Sequence, residues 1–244
     1  MFWGGGSIFY NPIEHDYSKD YLTFIPITDG TFSINRNGSG TTSNTISYSI
    51  GDGNWTNIGY GVQTPTVQAG QKIRFKGTPD ASYIGNEKSI GTFQCTTSFD
   101  AEGNAISMTH GDNFQSATAM ESECELAALF SGSSIISAEN VVLPAISLTN
   151  GCYFMMFRDC TGLTTAPALP AMTLASDCYS GMFYGCTNLN SITCLATNIS
   201  AEGCTTNWVN GVAATGTFTK AASMTSWTTG VRGIPSGWTV VDKQ

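Results

Sequence analysis

The sequence predicts an α+β chain: an N-terminal antiparallel β-sandwich or barrel, then a short solenoid of repeated units, then a C-terminal cap. Three observations carry this. Apolar and polar residues alternate in short runs from Tyr21 to about Met108. A block of residues that begins at Leu143 recurs 26 positions later. Gly, Asp and Asn punctuate both halves, and 27 of the 244 residues are glycine. The chain divides accordingly into 1–20, a docking or flexible segment, 21–115, a β-sandwich-like domain, 116–206, the repeats, and 207–244, the cap.

The first segment opens Met1-Phe2-Trp3-Gly4 and lacks the basic and apolar stretches of a secretory signal. Two readings stand for it. One is a mobile terminus. The other is a docking peptide, with Phe2, Trp3, Phe9 and Tyr10 as anchors into a partner.

From Tyr21 the period is two. Leu22 and Phe24 alternate with polar residues, Asp29-Gly30 marks a turn, and Phe32 and Ile34 resume the pattern. Ile46, Tyr48 and Ile50 precede Gly51-Asp52-Gly53-Asn54 and Trp55, which reads as a hairpin. Ile73, Phe75, Phe93, Cys95, Phe99, Ile106 and Met108 continue the rhythm of short strands. Strands at this spacing with Gly-rich turns indicate a small antiparallel sandwich or barrel.

The second half repeats. Leu143-Pro144-Ala145, Cys152, Met156-Phe157, Cys160 and Leu163 are matched by Leu169-Pro170-Ala171, Cys178, Met182-Phe183, Cys186 and Leu189. Leu195 and Cys204 continue at the same offset, and Leu129-Phe130, Ser133 and Ile136 stand 27 residues before Met156-Phe157, Cys160 and Leu163. Each unit is expected to hold a short strand followed by a helical turn or two, with Cys, Met-Phe and Cys on one helix face. A unit this short cannot hide its apolar face alone, so neighbours must stack. Beyond Cys204 the repeat decays, and Asn207 to Asp242, with Trp208, Phe218, Trp227 and Trp238, reads as the cap.

The stretches Met156-Phe157-Arg158-Asp159-Cys160-Thr161-Gly162-Leu163 and Met182-Phe183-Tyr184-Gly185-Cys186-Thr187-Asn188-Leu189 carry a resemblance. Over roughly residues 116–241 the chain resembles the BspA-type leucine-rich-repeat surface proteins of Bacteroidetes. That resemblance implies a right-handed solenoid and a non-enzymatic, surface-exposed protein with a role in adhesion. Without a secretion signal, a phage-encoded relative carried on a virion is a further expectation.

Composition excludes several classes. Charged residues are 11% of the chain, the net charge is −8 and the pI is near 4.5, so electrostatic nucleic-acid binding is not expected. No apolar run approaches ~18 residues, so no membrane insertion is expected. The cysteine spacings Cys152 to Cys160 and Cys178 to Cys186 do not fit close zinc-ligand pairs, and the repeat phase reads them as core thiols. Glu121, Glu123 and Glu125 read as a solvated helix start, and neither His15 nor His110 sits in a nucleophile motif. No cofactor, metal or catalytic residue is therefore expected.

Binding remains. The candidate contact residues are Tyr153, Tyr179, Tyr184 and Arg158, at positions between the repeat cores, and Thr165 and Thr193 beside the strands. The expected partner is a protein or glycan receptor, or a virion or homo-oligomeric assembly. The expected location is an extracellular surface or a virion. The alternatives are a structural virion protein (a head or tail fibre, or a capsid decoration) and an accessory protein of carbohydrate-active enzymes.

Overall fold

The computed structural model describes residues 15–37, 45–78 and 89–243. Phe2, Trp3, Phe9 and Tyr10 lie outside the described residues. The chain is mostly β, with few helical turns.

Seven strands make the N-terminal half: β1 (Leu22–Pro26), β2 (Phe32–Asn35), β3 (Thr45–Ile50), β4 (Thr56–Ile58), β5 (Ile73–Thr78), β6 (Thr92–Cys95) and β7 (Phe99–Asn104). β4, β3, β5, β1 and β7 pair antiparallel in that order. β2 and β6 form a separate antiparallel pair. That pair packs across an aromatic core from the larger sheet. The Phe24 ring lies 5.5 Å from Phe32 and 4.7 Å from Phe93, and Phe75 lies 4.8 Å from Phe93. Of the period-two residues that predict these strands, Leu22, Phe24, Phe32, Ile34, Ile46, Ile73, Phe75, Phe93 and Phe99 are buried, while in β3 Tyr48 and Ile50 are half-buried and the intervening Ser47 and Ser49 are buried instead. The β3–β4 turn closes as the sequence implies: Ser49 Oγ donates to the Gly53 carbonyl at 2.6 Å, and Gly51 takes φ +56°.

Ile106 and Met108 do not extend the strand rhythm. Ile106 lies in the turn that leads into the one-turn helix α1 (Ser107–His110), and Met108 lies within that helix. Asn104 Oδ1 accepts from the Ile106 amide at 3.1 Å, and this local bond ends the strand.

The sheet does not stop at the edge of this half. β7 pairs in parallel with β8 (Ile135–Val142). Single bridges carry the parallel arrangement from Ser137 to Thr165 and from Thr165 to Ser191. Ser191 opens β9 (Ser191–Cys194), which pairs with β10 (Thr217–Ala221), which pairs with β11 (Thr239–Lys243), all parallel. The core is equally continuous, and one cluster of buried residues runs from Leu22 to Trp238. The segment expected as a cap thus adds two strands to the same sheet. All five residues of β11 are exposed.

The helical face expected around Cys152, Met156-Phe157 and Cys160 is a correction. Residues 150–159 are consecutive turns. A residue with left-handed backbone stands at every fourth place: Gly151 (φ +60°), Met155 (+54°) and Asp159 (+57°). Asp177, Gly181 and Gly185 repeat the pattern, as do Gly203, Asn207 and Gly211. Such residues break the i→i−4 ladder of an α-helix. The amides are satisfied in another way. From Gly151 to Cys160, alternate N–H groups close turns within the unit, as Met156 does on Tyr153. The others reach the next unit, as Tyr153 does on Cys178 at 3.2 Å, Phe157 on Met182 at 2.9 Å and Asp159 on Tyr184 at 2.7 Å. No amide in this run is left without an acceptor.

Candidate functional site

The turn segments fix what the repeats show outward. The 26-residue matches, from Leu143 and Leu169 to Cys160 and Cys186, are buried except for Pro144 and Pro170, which are half-buried. The thiols do more than fill space. Cys160 Sγ donates to the Phe130 carbonyl at 2.9 Å, and Cys186 Sγ to the Phe157 carbonyl at 2.9 Å. All eight cysteines are free and six are buried.

Tyr153 and Tyr179 are not contact residues. Both are 1% exposed, and their rings lie 6.0 Å apart inside the core. Tyr179 in turn stacks on Trp208 at 6.2 Å. Burial drives both phenols well above their usual titration range. The Tyr153 hydroxyl has no hydrogen-bond partner.

Arg158 and Tyr184 are brought together at the surface. The guanidinium lies over the Tyr184 ring at 5.1 Å from its centroid. Arg158 Nε also donates to Asp159 Oδ2 at 3.1 Å. This pair is an exposed, locally satisfied feature, with Tyr184 36% exposed.

Thr165 and Thr193 lie on the parallel sheet, and the register places them among other hydroxyls. Ser137, Thr165, Ser191, Thr217 and Thr239 stand in one row across five successive chain passes. Thr193 and Thr219 begin a second row, which Val241 continues. In a parallel sheet such neighbours stand about 4.8 Å apart. The side chains between the rows, Ile192 and Phe218, are buried, so the hydroxyls occupy the outer face. Asp100, opposite Ser137, ends the first row with a charge.

One cluster was misread from the residue order. Glu125, expected to be solvated, is 3% exposed. Its carboxylate accepts from the Glu121 and Ser122 amides at 3.0 and 3.3 Å. His110 faces it, with Nδ1 3.9 Å from Glu125 and Nε2 3.5 Å from Glu121. The spacing Glu121 to Glu125 held the clue, because a carboxylate four residues on is placed to close the opening turn. Among the described residues, no group of three or more His, Cys, Asp or Glu is arranged to hold a metal ion, and no helix is long and apolar enough to cross a membrane.

No known protein family matches the chain, and no curated protein or solved structure is significantly similar to it.

Proposed function

We propose that the chain is a non-catalytic adhesion or receptor-binding protein, displayed on a bacterial surface or a virion. In this reading residues 116–206 form a short solenoid of the BspA leucine-rich-repeat type, and the outer face of its parallel strands is the contact surface. The supporting observation is the register of hydroxyls from Ser137 to Thr239 through Thr165, Ser191 and Thr217. Stacked repeats place function on such a face. A neutral row of donors and acceptors suits neutral glycans or a polar protein surface.

The test is a binding screen of the full chain against host glycans, matrix proteins and bacterial envelopes. Thr165→Arg and Thr193→Arg put bulky charge on the face and are expected to abolish binding with the melting temperature unchanged. Loss of neither, or hydrolase activity without binding, overturns the reading.

A second reading, a structural virion component such as a fibre or decoration subunit, draws on β11. Among the described residues that strand pairs on one side only, and Val240 and Val241 are 45% and 43% exposed. Exposed edges of this kind favour subunit packing. Native mass spectrometry separates the readings: a monomer at micromolar concentration favours the first, a closed oligomer the second.

A further inference from the structure

The charged residues of this chain are few, with 18 acidic and 10 basic side chains in 244 residues. Six of them converge on one cleft of about 600 Å³ in the N-terminal half: Lys19, Asp20, Asp52, Lys72, Arg74 and Glu102. That size falls within the ordinary range of small-molecule sites, roughly 300–1,000 Å³. Ten residues line the cleft, and at the chain's average charge content of 11% only about one would be charged.

The charges are not all neutralised by each other. Lys72 Nζ bonds Glu102 at 2.5 Å, and Glu102 is buried. His15 bonds Asp20 at 2.5 Å. Arg74 is left short of partners. One Nη donates to Ser49 Oγ at 3.0 Å, and among the described residues the buried Nε has no hydrogen-bond partner. Its nearest carboxylate, Asp52, is 3.9 Å away and fully exposed. Among the described residues, the Lys19 ammonium bonds the Gln115 carbonyl alone, at 3.5 Å. The Arg74 guanidinium also lies 5.8 Å from the Trp55 ring centroid, which helps fix its position. Two cations, Arg74 and the exposed Lys19, therefore share a cleft that also holds the Asp20 and Asp52 carboxylates.

We infer that this cleft binds a carboxylated sugar, with its carboxylate on Arg74 and Lys19 and its ring hydroxyls on the acidic side chains. The guanidinium fork matches a carboxylate. The carboxylates around it accept from the hydroxyls of a polyol and would not match an apolar acid. This site is separate from the strand face and does not rest on the reading given for that face.

The experiment is calorimetric titration of the full chain with glucuronate, glucose and inorganic phosphate at low salt. Glucuronate is expected to bind, and glucose and phosphate to bind at least tenfold more weakly. Arg74→Met is expected to weaken glucuronate at least tenfold and Lys19→Met several-fold. Lys19 is exposed, so its variant tests the site even if the Arg74 variant unfolds. Lys220→Met, on β10 and outside the cleft lining, is expected to change nothing. Phosphate binding as tightly as glucuronate, no glucuronate binding, or Lys19→Met binding like the unmodified chain each overturns the inference. Thr165→Arg leaves glucuronate binding intact if the two sites are independent.

Discussion

The Phe157 ring lies on the Phe130 ring with centroids 5.1 Å apart and planes 10° from parallel. Phe130 also meets Phe24 and Phe93 of the N-terminal half, at 5.7 and 6.3 Å. Phe157 meets Phe183 at 5.7 Å, Phe183 meets Trp208 at 6.2 Å, and Trp208 stacks on Trp227 at 5.6 Å. One column of rings therefore joins the two halves. Phe157→Ala is expected to cost about 3–5 kcal/mol. It is also expected to lower the hydrogen-exchange protection of β1 and of residues 177–185 together, because the two halves share this column. Loss of protection in the repeats alone would show that the halves unfold separately.

The buried thiols set an alkaline limit. Burial pushes Cys160, Cys178 and Cys194 up to about 12. In the unfolded chain a thiol titrates near 8.5 (approximately). The folded value is the higher one, so the unfolded state releases its protons first. Stability is expected to be level below about pH 8.5 and to fall as pH rises from there toward about 12. Urea midpoints across that range check this, and Cys194→Ala is expected to make the decline shallower.

The left-handed positions make a paired expectation. Gly185 has φ +74°, and a Cβ there would meet Asp159 Oδ1 at 2.2 Å. Gly185→Ala is expected to destabilise by about 1 kcal/mol or more. Ala128 already bears a Cβ at φ +56°, so Ala128→Gly is expected to be neutral or stabilising. Thermal melts of the two variants check both signs.

Glu125 holds two backbone amides from a buried position. Glu125→Ala leaves those donors unpaired and is expected to cost about 1–3 kcal/mol. Glu125→Gln keeps one acceptor oxygen and is expected to cost less. Denaturant unfolding of both measures the difference.

Binding at the strand face is expected to depend little on salt, because the rows from Thr165 to Thr239 are uncharged apart from Asp100 at one end. Affinity for a captured ligand, followed from low to high salt, checks this.

The strands of the N-terminal half were legible because one-sided burial forces a period of two, as Phe32 and Ile34 display. The repeat was legible because stacked units share one core, so Cys152 and Cys178 face the same packing. The form of each unit was not. A helix face and a run of left-handed turns can bury the same Cys, Met-Phe and Cys pattern. What separates them is backbone sign at Met155 and Asp159, which side-chain chemistry hides. Tyr153 and Tyr179 were misplaced although they stand at the same 26-residue offset as Cys152 and Cys178, the mark of a shared core position. The hydroxyl row was half visible: Thr165 and Thr193 were singled out, but their alignment with Thr217 depends on strand register. The Arg74 cleft is built from residues far apart in sequence and left no local trace.

The alternation of amides in the turn segments restricts how this chain can change length. Gly151 donates across to Ser176 while Cys152 donates back to Thr149. Adding or losing a single residue there would exchange the two roles and misdirect every amide after it. A deletion or duplication of one complete unit would leave each amide facing an equivalent carbonyl. Length variants of this protein should therefore come in whole units, and they would lengthen or shorten the hydroxyl row by one position at a time.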